Sequence, residues 1–390
     1  MLPPFPRRSP FLVAVLTLAL IAAVGLAGCG GSGETRADDE ATQAAGEESA
    51  GQQDEAGDEG IYAATLEGML SEKVSDHRYL VYVPNSESDT VTVIDPQTGE
   101  IVDDFPGGAR PQHVVPSHDL ETLWVNSNAG NALLPLDPRT GEPSGDPIPV
   151  DAPYNLYFTP DGASAIVVAE RLQRLDFRDP RTMELQESLD VPCEGVNHID
   201  FSRDGSYLIA TCEFADALIK VSVEGRELLD RIELGEGDGM PQDVRISPDG
   251  ERFYVADMVA DGVHVIDAAR FRKTDFVATG AGTHGLYPSR DAEQLYVANR
   301  GEGSVSVLDF ETLEEIEKWQ IPGGGSPDMG GVSPDGGTLW LSGRYNGEVY
   351  AFDTETGELE HRIAVGAGPH GLAVWPQPGR YSLGHTGNMR

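Results

Sequence analysis

The sequence predicts an all-β protein, a seven-bladed β-propeller of four-stranded antiparallel blades in which N- and C-terminal strands share one blade. Three observations predict it. A turn marked by Ser or Thr recurs at Ser117, Thr159, Ser202, Ser247, Ser289 and Ser333, in steps of 42, 43, 45, 42 and 44 residues. Each period holds four short apolar or β-branched runs bounded by Gly, Asp and Ser clusters, most clearly from Gly282 to Gly323. The repeat also begins out of phase, since Leu80 to Val83, Val91 to Ile94 and Ile101 to Phe105 read as second, third and fourth strands with no first strand before them.

The blades can be justified in order. First strands start near His113, Asn155, His198, Asp243, Gly285, Met329 and Gly371. The last, Gly371 to Trp375, has no strands after it, so its natural partners are the orphan strands at Leu80 to Phe105. That pairing closes the ring and removes free sheet edges. In the fullest copies the first hairpin turn is Ser-Pro-Asp-Gly, as at Ser247 to Gly250, where Asp supports the turn and Gly takes positive φ. The Asp-x-x-Thr-Gly-Glu runs at Asp95, Asp137 and Asp353 lack the spaced carboxylates of a calcium loop and read as turns. The third copy is short between Ala169 and Leu172, which predicts a tight hairpin.

Tyr82-Val83-Pro84-Asn85, Tyr254-Val255-Ala256-Asp257 and Tyr296-Val297-Ala298-Asn299 resemble the YVTN-type β-propeller repeat, and the resemblance covers residues 78 to 376. It implies the fold and leaves function open, because such propellers host binding, scaffolding and cofactor chemistry alike.

Outside the repeat, Arg7 and Arg8 precede an apolar run from Phe11 to Val24 that ends in Leu26-Ala27-Gly28-Cys29. The run reads as a secretory signal, and the tetrad resembles a bacterial lipobox. That resemblance implies cleavage after residue 28 and acylation of the Cys29 thiol, anchoring an exported protein to the outer side of a membrane. Residues 29–60 form an acidic tether, too poor in apolar side chains to fold and about 30 Å long as a flexible coil. Residues 61–77 are transitional: Leu66, Met69 and Leu70 are spaced for one or two helical turns packed on the propeller. The polar tail, residues 377–390 with His385, is either a frayed terminus or a strap folded over a propeller face.

Charge and motifs narrow the function. Against 65 acidic residues stand 27 basic ones, a formal charge of −38, which excludes the basic footprint of a nucleic-acid binder. No Gly-x-Ser-x-Gly, His-Glu-x-x-His, Cys-x-x-Cys or P-loop occurs. In an up-and-down blade the Ser-Pro-Asp-Gly turns lie on one face; the second-to-third loops and the crossings between blades lie on the other. The second set varies in sequence, so binding belongs there. That face also receives a polar constellation where the chain enters its inner strands. His113, His198 and Asp243 occupy one register, His284, Asp328 and His370 the next, with Asn155 in a place equivalent to the first trio and Gln242 in one equivalent to the second. The six are candidate ligands for a divalent transition metal, and Asn155 and Gln242 are candidate binding residues. Adjacent strand residues point oppositely, which argues against all six converging. Export further predicts a disulfide between Cys193 and Cys212, against the alternative of two buried thiols. The expected protein is a monomeric, membrane-anchored propeller that binds a protein or small molecule through its loop-rich face. The alternative is a metal-dependent lyase or oxidoreductase working at the histidines.

Overall fold

The computed structural model describes residues 60–383 and 389–390. The lipobox with Cys29, the tether up to residue 59 and His385 lie outside them. Seven four-stranded antiparallel sheets make up the propeller. From blade one to blade seven the inner strands are Ala373–Trp375, Pro111–Pro116, Asn155–Phe158, Val196–Phe201, Pro241–Ile246, Thr283–Pro288 and Pro327–Val332. Blade one is the shared blade: Ala373–Trp375 pairs antiparallel with Leu80–Asn85, Trp375 opposite Leu80. Among the described residues no helix is long and apolar enough to cross a membrane.

The turn chemistry holds each first hairpin. Ser117 Oγ donates to Asp119 Oδ1 at 2.7 Å while accepting from the Thr122 amide at 3.1 Å, and Ser202 repeats both bonds with Asp204 and Tyr207. Gly250 and Gly336 take the positive φ there, at 73° and 81°. Cores form between blades, where inner and middle strands such as Tyr254, Val255, Leu286 and Leu295 are fully covered. Outer strands such as Leu185–Asp190 are exposed and carry charge, which blunts their edges against pairing with another chain. Blade two has an outer strand of only Ile148–Pro149, since Pro143, Pro147 and Pro149 remove donors from it.

Three segments refine the sequence reading. The tight hairpin of blade three is closed by a 3-10 turn, Glu170–Leu172, with Gln173 left-handed at φ 51°. In the transitional segment the helical turns are short 3-10 turns, Ala63–Thr65 and Glu72–Val74, and their anchors are Tyr62 and Val74. Leu66 and Met69 are exposed, because Gly68 at φ 81° breaks the helical spacing that would have placed them together. The tail is a strap. Tyr381, Leu383, Met389 and Arg390 are buried against the inner strands. Arg390 Nη1 donates to Asp200 Oδ1 at 2.9 Å and to the Phe201 carbonyl at 3.2 Å, and its Nε donates to the Tyr381 hydroxyl at 2.7 Å. Tyr62 donates to the Ile246 carbonyl at 2.7 Å beside them. Between Tyr62, Arg245, Leu383 and Met389 a cavity of only about 20 Å³ remains. The Ser-Pro-Asp-Gly end of the channel is therefore stoppered.

Candidate functional site at the channel mouth

The opposite, loop-rich end stays open, and its floor is made by the histidines. Inner strands of blades two, four, five, six and seven each slip register at the same place, for example between Val196 and Ile199 opposite Cys212 and Ala210. A bulge of this kind adds one residue and re-aims its side chain. Both registers can therefore reach the channel, and all four imidazoles gather. Ring centroids lie 4.9 Å apart for His113 and His370, 6.1 Å for His113 and His198, and 6.4 Å for His198 and His284 and for His284 and His370. Tyr154 packs against three of them, its ring 5.3 Å from His113, 6.3 Å from His198 and 6.2 Å from His370. Alternation alone predicted that the registers would part; the bulge is what overrides it.

Not all six candidate ligands converge with equal closeness. His284, Asp328 and His370 bring one ligand atom each within 4.8 Å of the others, and all three are buried. His284 Nδ1 is 3.1 Å and His370 Nε2 3.8 Å from the Asp328 carboxylate. Arg300 shares that carboxylate, its Nε donating to Asp328 Oδ1 at 2.9 Å. Asp243 serves the scaffold instead. Its carboxylate pairs with Arg245 at 3.0 Å and accepts the Leu286 amide of the next blade at 2.9 Å, a clip that Asp200 repeats with the Ile246 amide at 2.8 Å. Asn155 is likewise turned into its own blade, donating to the Tyr157 hydroxyl at 3.0 Å and accepting from the Leu156 amide at 2.9 Å. Gln242 lines the open cavity and accepts from Asn197 Nδ2 at 3.3 Å.

Above this floor is a cavity of about 540 Å³. The residue following the second strand of each blade shapes it: Ser86, Asn128, Glu170, Glu213, Met258, Arg300 and Arg344, from blade one to blade seven. Five of them line the cavity, Asn128, Glu170, Glu213, Arg300 and Arg344, together with Arg110 and Arg171. The sequence reading passed over these residues, although one column of the repeat contains them. Arg344 Nη1 donates to Ser86 Oγ at 2.9 Å and to the Gly368 carbonyl at 3.1 Å. Arg171 donates to the side-chain and main-chain oxygens of Asn128 at 3.0 and 2.8 Å. Exposed Phe214, Val259 and Tyr345 stand on the loops around the rim.

Burial governs the protonation of this site. Desolvation, helped by the Glu213 charge, raises the Glu170 carboxyl to about 7, and desolvation raises Glu213 as well. His370 is pushed well below its ordinary value, first by burial and then by Arg344 and its histidine neighbours, so it is neutral at neutral pH. Cys193 and Cys212, on the crossing into blade four and at the end of its second strand, are joined in a disulfide with Cα atoms 5.0 Å apart.

The sequence matches the YNCE-like β-propeller family over residues 74–378, almost the whole of the folded region. The chain belongs to that family. The uncharacterized protein YncE of Salmonella typhi is 24% identical to this YNCE-like propeller over 273 residues, 64% of this chain and 73% of that protein. Among solved structures, the periplasmic gluconolactonase PpgL of Pseudomonas aeruginosa superposes with a TM-score of 0.63 at 19% identity, covering 77% of this chain and 99% of that one. Hydrazine synthase of Kuenenia stuttgartiensis superposes with a TM-score of 0.59 at 18% identity, covering 72% and 93%. At these identities the structures share the fold and nothing finer.

Proposed function

We propose that this protein is a lipid-anchored, extracytoplasmic binding protein whose ligand is a small molecule bearing a carboxylate or phosphate, held in the cavity at the channel mouth. One observation carries the reading. In a chain of formal charge −38, four arginines line a single cavity of about 540 Å³. Pockets of roughly 300–1,000 Å³ suit small ligands, and the planar guanidinium matches an oxyanion with two parallel hydrogen bonds. Arg300 is already balanced by Asp328, whereas Arg344 donates to a hydroxyl and a carbonyl, both neutral. Arg344 is therefore a charge available to a ligand, as is Arg171, whose partners Asn128 and Asn131 are neutral as well. Cys29 and the acidic tether would hold the propeller on the membrane, with replacement of Cys29 by Ser expected to release the protein into the soluble fraction.

Calorimetric titration with inorganic phosphate and citrate tests the ligand site. The expected result is binding that weakens at least tenfold in Arg344→Gln, with an unchanged melting temperature. Affinity should also fall as pH rises from 6 to 8. A carboxyl raised to about 7 is neutral below that pH, and above it Glu170 adds a repelling charge. Glu170→Gln should flatten the profile. No binding by the wild type, or binding indifferent to Arg344, would refute the site.

A second reading rests on the closeness of His284, Asp328 and His370. Neutral imidazoles and a carboxylate suit Zn, Fe or Co, and such a centre would support the metal-dependent enzyme alternative. The neighbouring Arg300 and Arg344 weigh against a dication there, since like charges are costly at low dielectric. Titration with Zn²⁺ and Co²⁺ separates the readings: metal binding lost in a His284→Ala, His370→Ala double variant would favour the enzyme.

A further inference from the structure

Four of the cavity's charged residues share one repeat position and divide by wall, while Arg110 and Arg171 also line the cavity near Glu170. Glu170 and Glu213 come from blades three and four, Arg300 and Arg344 from blades six and seven, all from the same place in the repeat. Three blades apart in a ring of seven is close to half a turn, so the two pairs face each other across the mouth. Among the described residues neither glutamate makes an ion pair, and Arg344 makes none either. Opposite charges thus share one cavity without pairing directly: Arg171 and Arg110 pull the Glu170 carboxyl down and Arg300 pulls Glu213 down, yet burial keeps both carboxyls raised. Each side is held in place by neutral groups: Asn197 donates to Glu213 at 2.9 Å, and Ser86 and the Gly368 carbonyl accept from Arg344. Arg171, next to Glu170 in sequence, is turned to Asn128 and Asn131. A second feature points to a ligand at the basic wall. His370 lines the cavity at 4% exposure, and its Nδ1 has no hydrogen-bond partner in the protein. Buried polar atoms in proteins are for the most part hydrogen-bonded, so an unpartnered ring nitrogen facing a cavity is a place for a ligand to bond.

We infer that the ligand is zwitterionic, with an ammonium group at the Glu170–Glu213 wall and a carboxylate or phosphate at the Arg300–Arg344 wall. The inference rests on the reading of this cavity as the ligand site and narrows it. A carboxylate between Arg344 and His370 gains charge-assisted bonds. An ammonium between the two glutamates relieves their mutual repulsion, and the exposed ring of Phe214 beside Glu213 offers it a cation–π face. A dianion would instead press its second charge against the acidic wall, and a diamine against the basic one. Only a ligand charged oppositely at its two ends satisfies both walls.

The test uses the purified protein and three probe series in calorimetry: ω-amino acids of two to six carbons, the dicarboxylates of the same lengths, and the diamines of the same lengths. At one chain length the amino acid should bind at least tenfold more tightly than its dicarboxylate and its diamine. A Glu170→Gln, Glu213→Gln double variant should bring amino acid and dicarboxylate to parity, while Arg344→Gln should weaken both. Melting curves confirm that each variant is folded; if the double variant is not, Glu213→Gln alone should reduce the preference severalfold. Dicarboxylates that bind as tightly as amino acids overturn the inference and leave the oxyanion site standing. A preference that survives loss of both glutamates also overturns it. Failure of every probe, with phosphate and citrate failing too, overturns the ligand site itself.

Discussion

Truncating the chain before His370 should abolish cooperative folding. The deletion removes the inner strand of blade one, which pairs with Leu80 to Tyr82, and with it Leu372, Val374 and Trp375, each at most 1% exposed. Trp375 also donates from Nε1 to the Pro138 carbonyl in blade two at 3.0 Å, a bond across the closure. Burying an apolar side chain of this size contributes about 1.5–3 kcal/mol, and a whole domain is stable by only about 5–15 kcal/mol. Three such side chains and a strand ladder are a large part of that margin. Their loss also leaves an open edge along Leu80–Asn85. Circular dichroism melting and light scattering should show a broad, non-cooperative transition or aggregation. A truncated chain that melts as sharply as its parent, at the same temperature, would contradict closure by the shared blade.

The second large effect is expected at the stoppered end. Replacing Arg390 with Ala leaves the Asp200 carboxylate, fully buried, without the guanidinium that approaches it to 2.9 Å. Removing one partner of a buried pair typically costs about 3–5 kcal/mol. The cost should depend on pH. Burial raises the Asp200 carboxyl against the opposing charges of Arg390 and Arg245, so losing Arg390 raises it further. The folded variant then retains a proton that the unfolded chain gives up above about pH 3.9. Because the parent's Asp200 carboxyl is raised as well, the variant loses stability relative to the parent as pH rises from the parent's folded value to the variant's higher one, so the deficit grows with pH and is expected to be larger at pH 8 than at pH 5. Urea unfolding at both pH values measures this. An Asp200→Asn, Arg390→Ala double variant should recover part of the loss, because it carries no unpaired charge.

Much of the scaffold was legible from periodicity. The spacing of Ser117, Thr159 and their successors marked the blades, and the leftover runs at Leu80 and Gly371 implied that they complete one another, as the pairing of Trp375 with Leu80 bears out. The site was less legible for two physical reasons. Strand alternation separates His113 and His198 from His284 and His370, and a bulge in the inner strands reverses that conclusion without any sequence mark beyond its recurrence. The charged walls belong to loop residues, where no apolar pattern draws attention; reading Glu170, Glu213, Arg300 and Arg344 as one repeat position was the available signal. The strap was open to either reading because its main tie, Arg390 to Asp200, spans 190 residues. The exposure of Leu66 and Met69 follows from backbone geometry at Gly68 rather than from apolar spacing.

We propose that this propeller binds an oxyanion at its loop-rich mouth and not on its outer surface. The most direct measurement is a crystal structure of the protein soaked with phosphate, compared with Arg344→Gln treated identically. Phosphate density is expected in the cavity within hydrogen-bond distance of Arg344 and His370, absent from the variant. Density confined to surface arginines, with the mouth unoccupied at saturating phosphate, would contradict it.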